Sequence, residues 1–169
     1  MKKRFGIALA AAAFTMVGGA GVASAQDAQA YIDADAEAGA SVFRQCSACH
    51  MVGPNAMNRV GPPLNGIVGR EWGSIEGFRY SDSHVESGEA QGGVWTVAIL
   101  SEYLDNPRAM VPRTRMSFGG LRQPGQTENV IKYLAGFDAE GNEVDPAEVL
   151  AAHYDAEAHA ASMEAMPAE

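Results

Sequence analysis

The chain has 169 residues, a formal net charge of −9, 47% hydrophobic residues and two cysteines. This length suits one ordinary domain with a tail, and the hydrophobic content excludes a disordered acidic chain. Two cysteines exclude a disulfide-rich scaffold, and the acidic balance argues against nucleic acid as a partner, since nucleic-acid binding requires a basic surface.

The first 25 residues have the three parts of a secretory signal peptide. Residues 2–4 are basic, residues 5–22 are uncharged and apolar, and residues 23–25 have the small-x-small form of a cleavage site. An uncleaved membrane anchor is the alternative, because the apolar run is about as long as a bilayer requires. Its Ala- and Gly-rich composition favours cleavage after Ala25, so we expect an exported, periplasmic protein.

The mature chain divides by composition and charge into three parts. Residues 26–35 form a polar leader, residues 36–137 are predicted to form the main domain, and residues 138–169 form an acidic, Ala-rich tail. The main domain has nine basic and nine acidic residues, whereas the tail has nine acidic residues and no Lys or Arg. The negative charge therefore belongs mainly to the tail.

Apolar spacing and capping residues predict three helices in the main domain. Their predicted limits are Asp33 or Asp35 to about Arg44, Thr96 to Pro107, and Thr127 to Gly136. Residues 51–70, 81–93 and 110–125 are rich in Gly, Pro or polar residues and are predicted as loops. We therefore expect an all-α domain with three main helices and long loops. Because long loops around a modest core need an explanation, we expect a bound group at the centre.

A further helix is predicted to begin in the tail. Asp145 can cap it, Pro146 suits its first turn, and Glu148 stands at its third position. Its apolar face around Val149 and Leu150 is narrow, so we expect a loosely packed or mobile helix.

The segment Cys46-Ser47-Ala48-Cys49-His50 matches the pattern for covalent attachment of a c-type haem. Two thiols three positions apart on one helical turn can each add to a haem vinyl group, and the adjoining imidazole then faces the iron. A thioredoxin-like pair would need a preceding strand, and a zinc site would need more Cys or His at short spacing. A disulfide between the two cysteines would leave His50 unexplained. We therefore expect one covalent haem c, with His50 as an axial ligand of its iron.

The second axial ligand must come from another histidine or a methionine. Three histidines lie in polar segments and are expected to be solvated, namely His84, His153 and His159. Four methionines lie too close to His50 or in the tail, namely Met51, Met57, Met163 and Met166. Met110 and Met116 remain, both between the second and third helices, and a thioether is a soft ligand that suits this iron.

Residues 106–118 resemble the methionine loop of class I cytochromes c, in which Pro-x-Thr-x-Met ends in the axial methionine. Pro112, Thr114 and Met116 match this pattern, whereas Met110 precedes the proline. Other segments keep the family's order, namely Gly39 with Phe43, residues 61–70, Trp95 with residues 102–107, and Tyr133-Leu134. The resemblance covers about residues 36–137 and looks closest to bacterial cytochromes c2 and mitochondrial cytochrome c. It implies a small cytochrome c fold with His50 and Met116 as axial ligands.

The resemblance also implies roles for residues around the haem. Pro62 would accept a hydrogen bond from His50, and Tyr103 would donate toward the axial sulfur, with Thr114 as a polar brace. The buried propionates would be held by Arg70, Tyr80 and Trp95. Trp95 and Tyr103 also suit ordinary core positions.

Two features depart from the family pattern. The segment between residues 80 and 95 looks longer than in similar proteins, so His84 is given no haem role. Shuttle proteins of this family surround the exposed haem edge with lysines, whereas Lys132 is the only lysine after the signal segment. Arg59, Arg113 and Arg115 are therefore the candidates for a positive docking face.

One-electron transfer, rather than enzymatic catalysis, is the expected function. Two axial protein ligands leave no position for a substrate, and methionine ligation raises the reduction potential. We expect a monomer that docks transiently on membrane redox complexes, between a quinol-oxidising complex and an oxidase or photosynthetic reaction centre. The alternatives are a haem subunit bound to a periplasmic dehydrogenase and a haem peroxidase or sensor, which would need an open iron or a second haem.

Overall fold

The computed structural model describes residues 28–154, which form the all-α fold that the sequence predicts. The helices are α1 (Ala36–Phe43), α2 (Asp82–Ala90), α3 (Val97–Asp105), α4 (Pro107–Met110), α5 (Gln126–Ala135) and α6 (Pro146–His153). Residues 28–33 are also helical. Strand-like pairing in this range is limited to two isolated bridges, Glu71 with Val94 and Phe137 with Glu143. The predicted signal peptide and residues 155–169, with His159, Met163 and Met166, lie outside the described residues.

Helices α1 and α5 cross closely at Gly39. A Cβ atom at Gly39 would lie 2.0 Å from the carbonyl oxygen of Asn129, so a side chain here would force the helices apart. Asp35 caps α1, and its own N–H donates to Asn129 Oδ1 at 2.8 Å. This crossing fixes the carboxyl end of α1, from which the cysteine segment continues.

Helix α3 begins as predicted, with the Thr96 hydroxyl accepting a hydrogen bond from Ile99 N–H. Helix α5 does not begin as predicted, because Thr127 is not its cap. It follows Gly125, whose φ of 77° is left-handed, and the Thr127 hydroxyl instead donates to Asp105 Oδ1 at 2.8 Å. The hydroxyl therefore joins α5 to the end of α3.

Helix α2 corrects the prediction that residues 81–93 form a loop. Ser81 caps it by accepting a hydrogen bond from His84 N–H. The residues that α2 buries are Ser83 and Gly88, and a Cβ atom at Gly88 would lie 2.3 Å from the Trp72 ring. Because α2 packs through small residues, it lacks the apolar spacing that would have revealed it.

Helix α6 begins as predicted, since the Asp145 carboxylate accepts from Ala147 N–H and Pro146 occupies the first turn. The expectation of a loosely packed helix is wrong for this segment. Leu150 is 1% exposed, and the rings of Tyr154 and Tyr31 lie 6.1 Å apart. The end of the described chain is therefore packed on its beginning.

Residues of α2, α3 and α5 and of the long loops line an open cavity of about 580 Å³. The main core lies beside it, and its largest fully buried side chains are Ile131, Leu150, Val97, Val111, Val130 and Pro107. No helix within residues 28–154 is long and apolar enough to cross a membrane.

Candidate haem site

The cavity has the size of a cofactor pocket and an uneven distribution of charge. Its walls are mainly apolar, with Leu64, Ile67 and Leu100 among them. Four arginines also line it, namely Arg59, Arg70, Arg79 and Arg115, whereas no described Asp or Glu does. The lining therefore suits an apolar group that carries negative charge.

Cys46 and Cys49 lie on one turn at the edge of this cavity. The N–H groups of Cys49 and His50 both donate to Cys46 O, at 3.0 and 2.9 Å, and Cys46 N–H donates to Phe43 O. Both thiols are free and half-buried. Burial, and to a lesser extent the neighbouring Cys49, raises the pKa of Cys46. The cysteines are thus unbridged and face the same space, as thioether attachment to one group requires.

His50 is held in one orientation by Pro62 and Gly61. Its Nδ1 lies 2.7 Å from Pro62 O. Because a carbonyl oxygen can only accept, Nδ1 carries the proton and the lone pair is on Nε2. A Cβ atom at Gly61 would lie 2.3 Å from His50 Cε1, so the ring packs directly on the backbone. Burial lowers the pKa of His50 and favours the neutral form that binds metals.

Met116 lines the same cavity, and two polar contacts hold its loop. Tyr103 Oη donates to Met116 Sδ at 3.7 Å, and Met116 N–H donates to Thr114 Oγ1 at 3.2 Å. Burial raises the pKa of Tyr103, which therefore stays protonated as a donor at neutral pH. Met110 is 8% exposed and packs in the core instead.

Arg70, Tyr80 and Trp95 also line the cavity. The Arg70 guanidinium donates to Pro63 O and Asn65 O, at 3.0 and 2.9 Å, which fixes its position. Burial lowers the pKa of Arg70 and raises that of Tyr80. These side chains place one fixed cation and two polar ring groups around the same space, as buried carboxylates require.

The three candidate docking arginines are all exposed, but they occupy different positions. Arg59 and Arg115 line the cavity, whereas Arg113 is in the same loop as Arg115 without lining it. Arg113 has a φ of 60°, the left-handed conformation, which turns the loop before Met116. Arg79 is a further exposed arginine at the cavity that the sequence analysis missed. Arg79 directly precedes Tyr80, to which the resemblance gives a role at the haem. This adjacency was the signal in the sequence that could have identified Arg79.

His84 is the main error among the site residues. It was expected to be solvated in a polar loop, but it is half-buried on α2 and lines the cavity. Burial lowers the pKa of His84 to about 4. The error follows from the missed helix, since a loop prediction gives no reason for the ring to point inward.

The residues around the cavity fit a haem c. The two free thiols, the imidazole and the thioether are the groups that such a haem binds covalently and at its iron. The four arginines without a described lining carboxylate match a macrocycle with two propionates.

Comparisons with known proteins identify relatives of this chain. No protein-family model matches the chain. Over 103 residues the chain is 52% identical to cytochrome c-550 of Ancylobacter novellus, covering 61% of this chain and 95% of that protein. It is 52% identical to cytochrome c2 of Afifella marina over 104 residues, covering 62% and 83%. The solved structure of cytochrome c2 from Rhodospirillum Centenum matches with a TM-score of 0.57 and 35% identity, covering 62% of this chain and 98% of that one.

The fold and the cavity together define a small helical domain built to hold a covalently attached haem. With these relatives, the chain belongs to the class I c-type cytochromes, and haem c is the cofactor that the class implies. Within that class, the proteins it resembles carry the names cytochrome c2 and cytochrome c-550.

Proposed function

We propose that this protein is a periplasmic one-electron carrier with one haem c, attached through Cys46 and Cys49 and ligated by His50 and Met116. The observation that carries the proposal is that a correctly oriented imidazole and a hydrogen-bonded thioether line one cavity with both thiols. Bound haem supplies reversible one-electron chemistry at its iron. If His50 and Met116 both bind the iron, no position would be left for a substrate, and the protein would act as a carrier and not as an enzyme.

The residues around the ligands hold them in place. Pro62 fixes the tautomer and plane of His50, so that Nε2 is the ligating atom. Tyr103 draws electron density from the thioether through its hydrogen bond, and Thr114 holds the backbone of Met116. The propionates would be bound by Arg70, Tyr80 and Trp95. Ligands held by these contacts would move little between oxidation states, which favours fast electron exchange.

The proposed partners are membrane redox complexes, on which this protein would dock transiently as a monomer. A quinol-oxidising complex would be the donor, and an oxidase or a photosynthetic reaction centre the acceptor. The exposed Arg59, Arg79 and Arg115 give the cavity rim a positive potential. Val60, which is 79% exposed on the same rim, provides an apolar contact. Such a small, charged surface favours weak and salt-sensitive docking.

The ligand assignment is tested by the absorption band near the red edge that arises from sulfur–iron bonding in the oxidised protein. Met116→Ala is expected to abolish this band while the haem stays covalently attached. Met110→Ala is the matched control, because Met110 is buried outside the cavity lining and its loss leaves the thioether ligand in place. Persistence of the band in Met116→Ala would overturn the ligand assignment.

The carrier role is tested by mixing the reduced protein with membranes that contain an oxidase or a reaction centre. Oxidation of the haem at a rate that falls with added salt is the expected result. Size-exclusion chromatography of the native periplasmic extract distinguishes the main alternative. A free monomer supports the shuttle, whereas co-elution with a dehydrogenase would make the protein a fixed subunit.

A further inference from the structure

His84 is held rigidly by aromatic rings at the cavity wall. Its ring stacks on Tyr80, with centroids 4.9 Å apart and planes inclined by 16°. The Trp72 ring lies 5.1 Å away, and the Trp95 ring 6.1 Å away. The contact of Gly88 with Trp72 anchors the other end of the helix. The imidazole is therefore fixed by both its helix and its neighbours.

The Nε2 atom of His84 is buried and has no hydrogen-bond partner among the described residues. An unpaired buried polar atom loses its hydrogen bond to water without replacing it, so such atoms normally have a partner. Burial also lowers the pKa of the ring to about 4, which keeps the imidazole neutral near pH 7. A neutral imidazole can carry its single proton on Nε2 and donate it.

The surroundings of the ring indicate what the missing partner is. His84 lines the haem cavity together with Arg70, Tyr80 and Trp95, and no described carboxylate lines it. No described Asp or Glu lines this cavity and could accept a hydrogen bond from Nε2. Four arginines line the same cavity. The haem proposed above carries two carboxylates, which are acceptors of the required chemistry.

We propose that His84 is an additional haem-binding residue, which donates its Nε2–H to a propionate of the haem. This inference rests on the proposed haem site and extends it to helix α2. The hydrogen bond spreads part of the negative charge of the propionate onto the imidazole. Negative charge on the propionate stabilises the ferric iron. A hydrogen bond that withdraws part of this charge therefore raises the reduction potential.

The direct test is NMR of the reduced holoprotein labelled with ¹⁵N-histidine. We expect His84 to show an Nε2-bound proton near pH 7 that exchanges slowly with water and has a nuclear Overhauser effect to propionate methylene protons. A ring protonated on Nδ1, or an Nε2 proton with no contact to the propionates, would overturn the proposal. This measurement uses the unaltered protein and does not depend on whether a variant folds.

The second test compares midpoint potentials at pH 7. His84→Phe keeps an aromatic ring and removes the donor, so its potential is expected to shift downward. His84→Gln keeps a donor and should shift less. His153→Phe is the matched control, since His153 is an exposed histidine on α6. Equal potentials for His84→Phe and the unaltered protein would overturn the proposal.

These outcomes are separable from failure of the haem site itself. The visible spectrum reports covalent haem and the sulfur–iron band before either test is made. If both are present and His84 contacts no propionate, the inference about His84 fails while the proposed carrier remains.

Discussion

At the residue scale, the proposed iron ligands are placed partly by contacts between residues that are close in sequence. The hydrogen bonds that form the turn of the cysteine segment join residues that are close in sequence, and so does the hydrogen bond from His50 to Pro62. Met116 is distant in sequence, and its position depends on Tyr103, thirteen residues earlier, and on the local brace at Thr114. The Met116 thioether is therefore the proposed ligand whose position depends most on tertiary structure.

The buried tyrosines make stability sensitive to alkaline pH. Burial raises the pKa of Tyr103 above its value of about 10 in the unfolded chain. The folded state therefore holds this proton more tightly, and the stability that it contributes is lost as pH rises through the folded pKa. We expect the free energy of unfolding, measured with urea, to fall above a pH of about 10. Tyr103→Phe should lessen this fall.

Tyr80 has a raised pKa for the same reason, so some decline will remain in that variant. Measurement of Tyr103→Phe at neutral pH corrects for the lost hydrogen bond to Met116. An identical decline in the variant and the unaltered protein would contradict the assignment of this effect to Tyr103.

Residue-level prediction from sequence has its firmest basis where a group's role is chemical, and it fails where the role depends on orientation. Cys46, Cys49 and His50 stand in a pattern with one good chemical interpretation. His84 has no such pattern, and its inward orientation results from Ser81 starting a helix and Gly88 packing on Trp72. No local property of the histidine itself carries that information.

At the element scale, the crossing of α1 and α5 depends on the absence of one side chain. Gly39→Ala would place a methyl group 2.0 Å from Asn129 O, so the helices must separate. We expect a loss of about 1–3 kcal/mol in the free energy of unfolding, measured by urea titration. Gly119→Ala is the matched control, because a Cβ atom there would meet nothing within 4 Å. Equal losses for both variants would exclude the crossing as the cause.

The docking of α6 depends largely on Leu150, which is 1% exposed. Leu150→Ala should lower the free energy of unfolding by about 2–5 kcal/mol, as other large-to-small core substitutions do. The substitution Ala152→Ser, at an exposed position of the same helix, should have little effect. A Leu150→Ala protein as stable as the unaltered one would show that α6 is undocked in solution.

The elements that sequence predicts well are those with apolar spacing. Helices α1, α3 and α5 bury regular apolar faces, and their predicted limits lie within a few residues of the observed ones. Helix α2 buries Ser83 and Gly88, which are small and not strongly apolar, so the spacing of apolar residues does not predict its packing. Helix α6 was predicted, but its docking relies on one leucine in an otherwise narrow apolar face. Packing of this kind depends on the surfaces that the helix contacts in the folded protein. The sequence of the helix itself does not specify those surfaces.

At the scale of the whole molecule, net charge and local charge have opposite signs. The chain has a net charge of −9, whereas the cavity is lined by four arginines and no described carboxylate. If the local field governs encounter, oxidation of the reduced protein by ferricyanide, a small anion, should slow as ionic strength rises. Stopped-flow measurement of the rate over a series of salt concentrations checks this.

Arg115→Gln should make that salt dependence shallower, because Arg115 is exposed at the cavity. Arg122→Gln is the matched control, since Arg122 is exposed outside the cavity lining and its guanidinium donates to Gly119 O. A rate that rises with salt in the unaltered protein would show that the net negative charge governs encounter.

The packing of Tyr154 on Tyr31 brings the two ends of the described chain side by side. A short linker between them would close residues 28–154 into a ring, which could be opened elsewhere without separating any helix from its neighbours. Gly73 is a suitable opening, since it lies between helices and a Cβ atom there would meet nothing. In such a circular permutant the cysteine segment would be synthesised last instead of first. Covalent haem in the permutant would show that attachment does not require the cysteine segment to precede α3 and α5 in the chain.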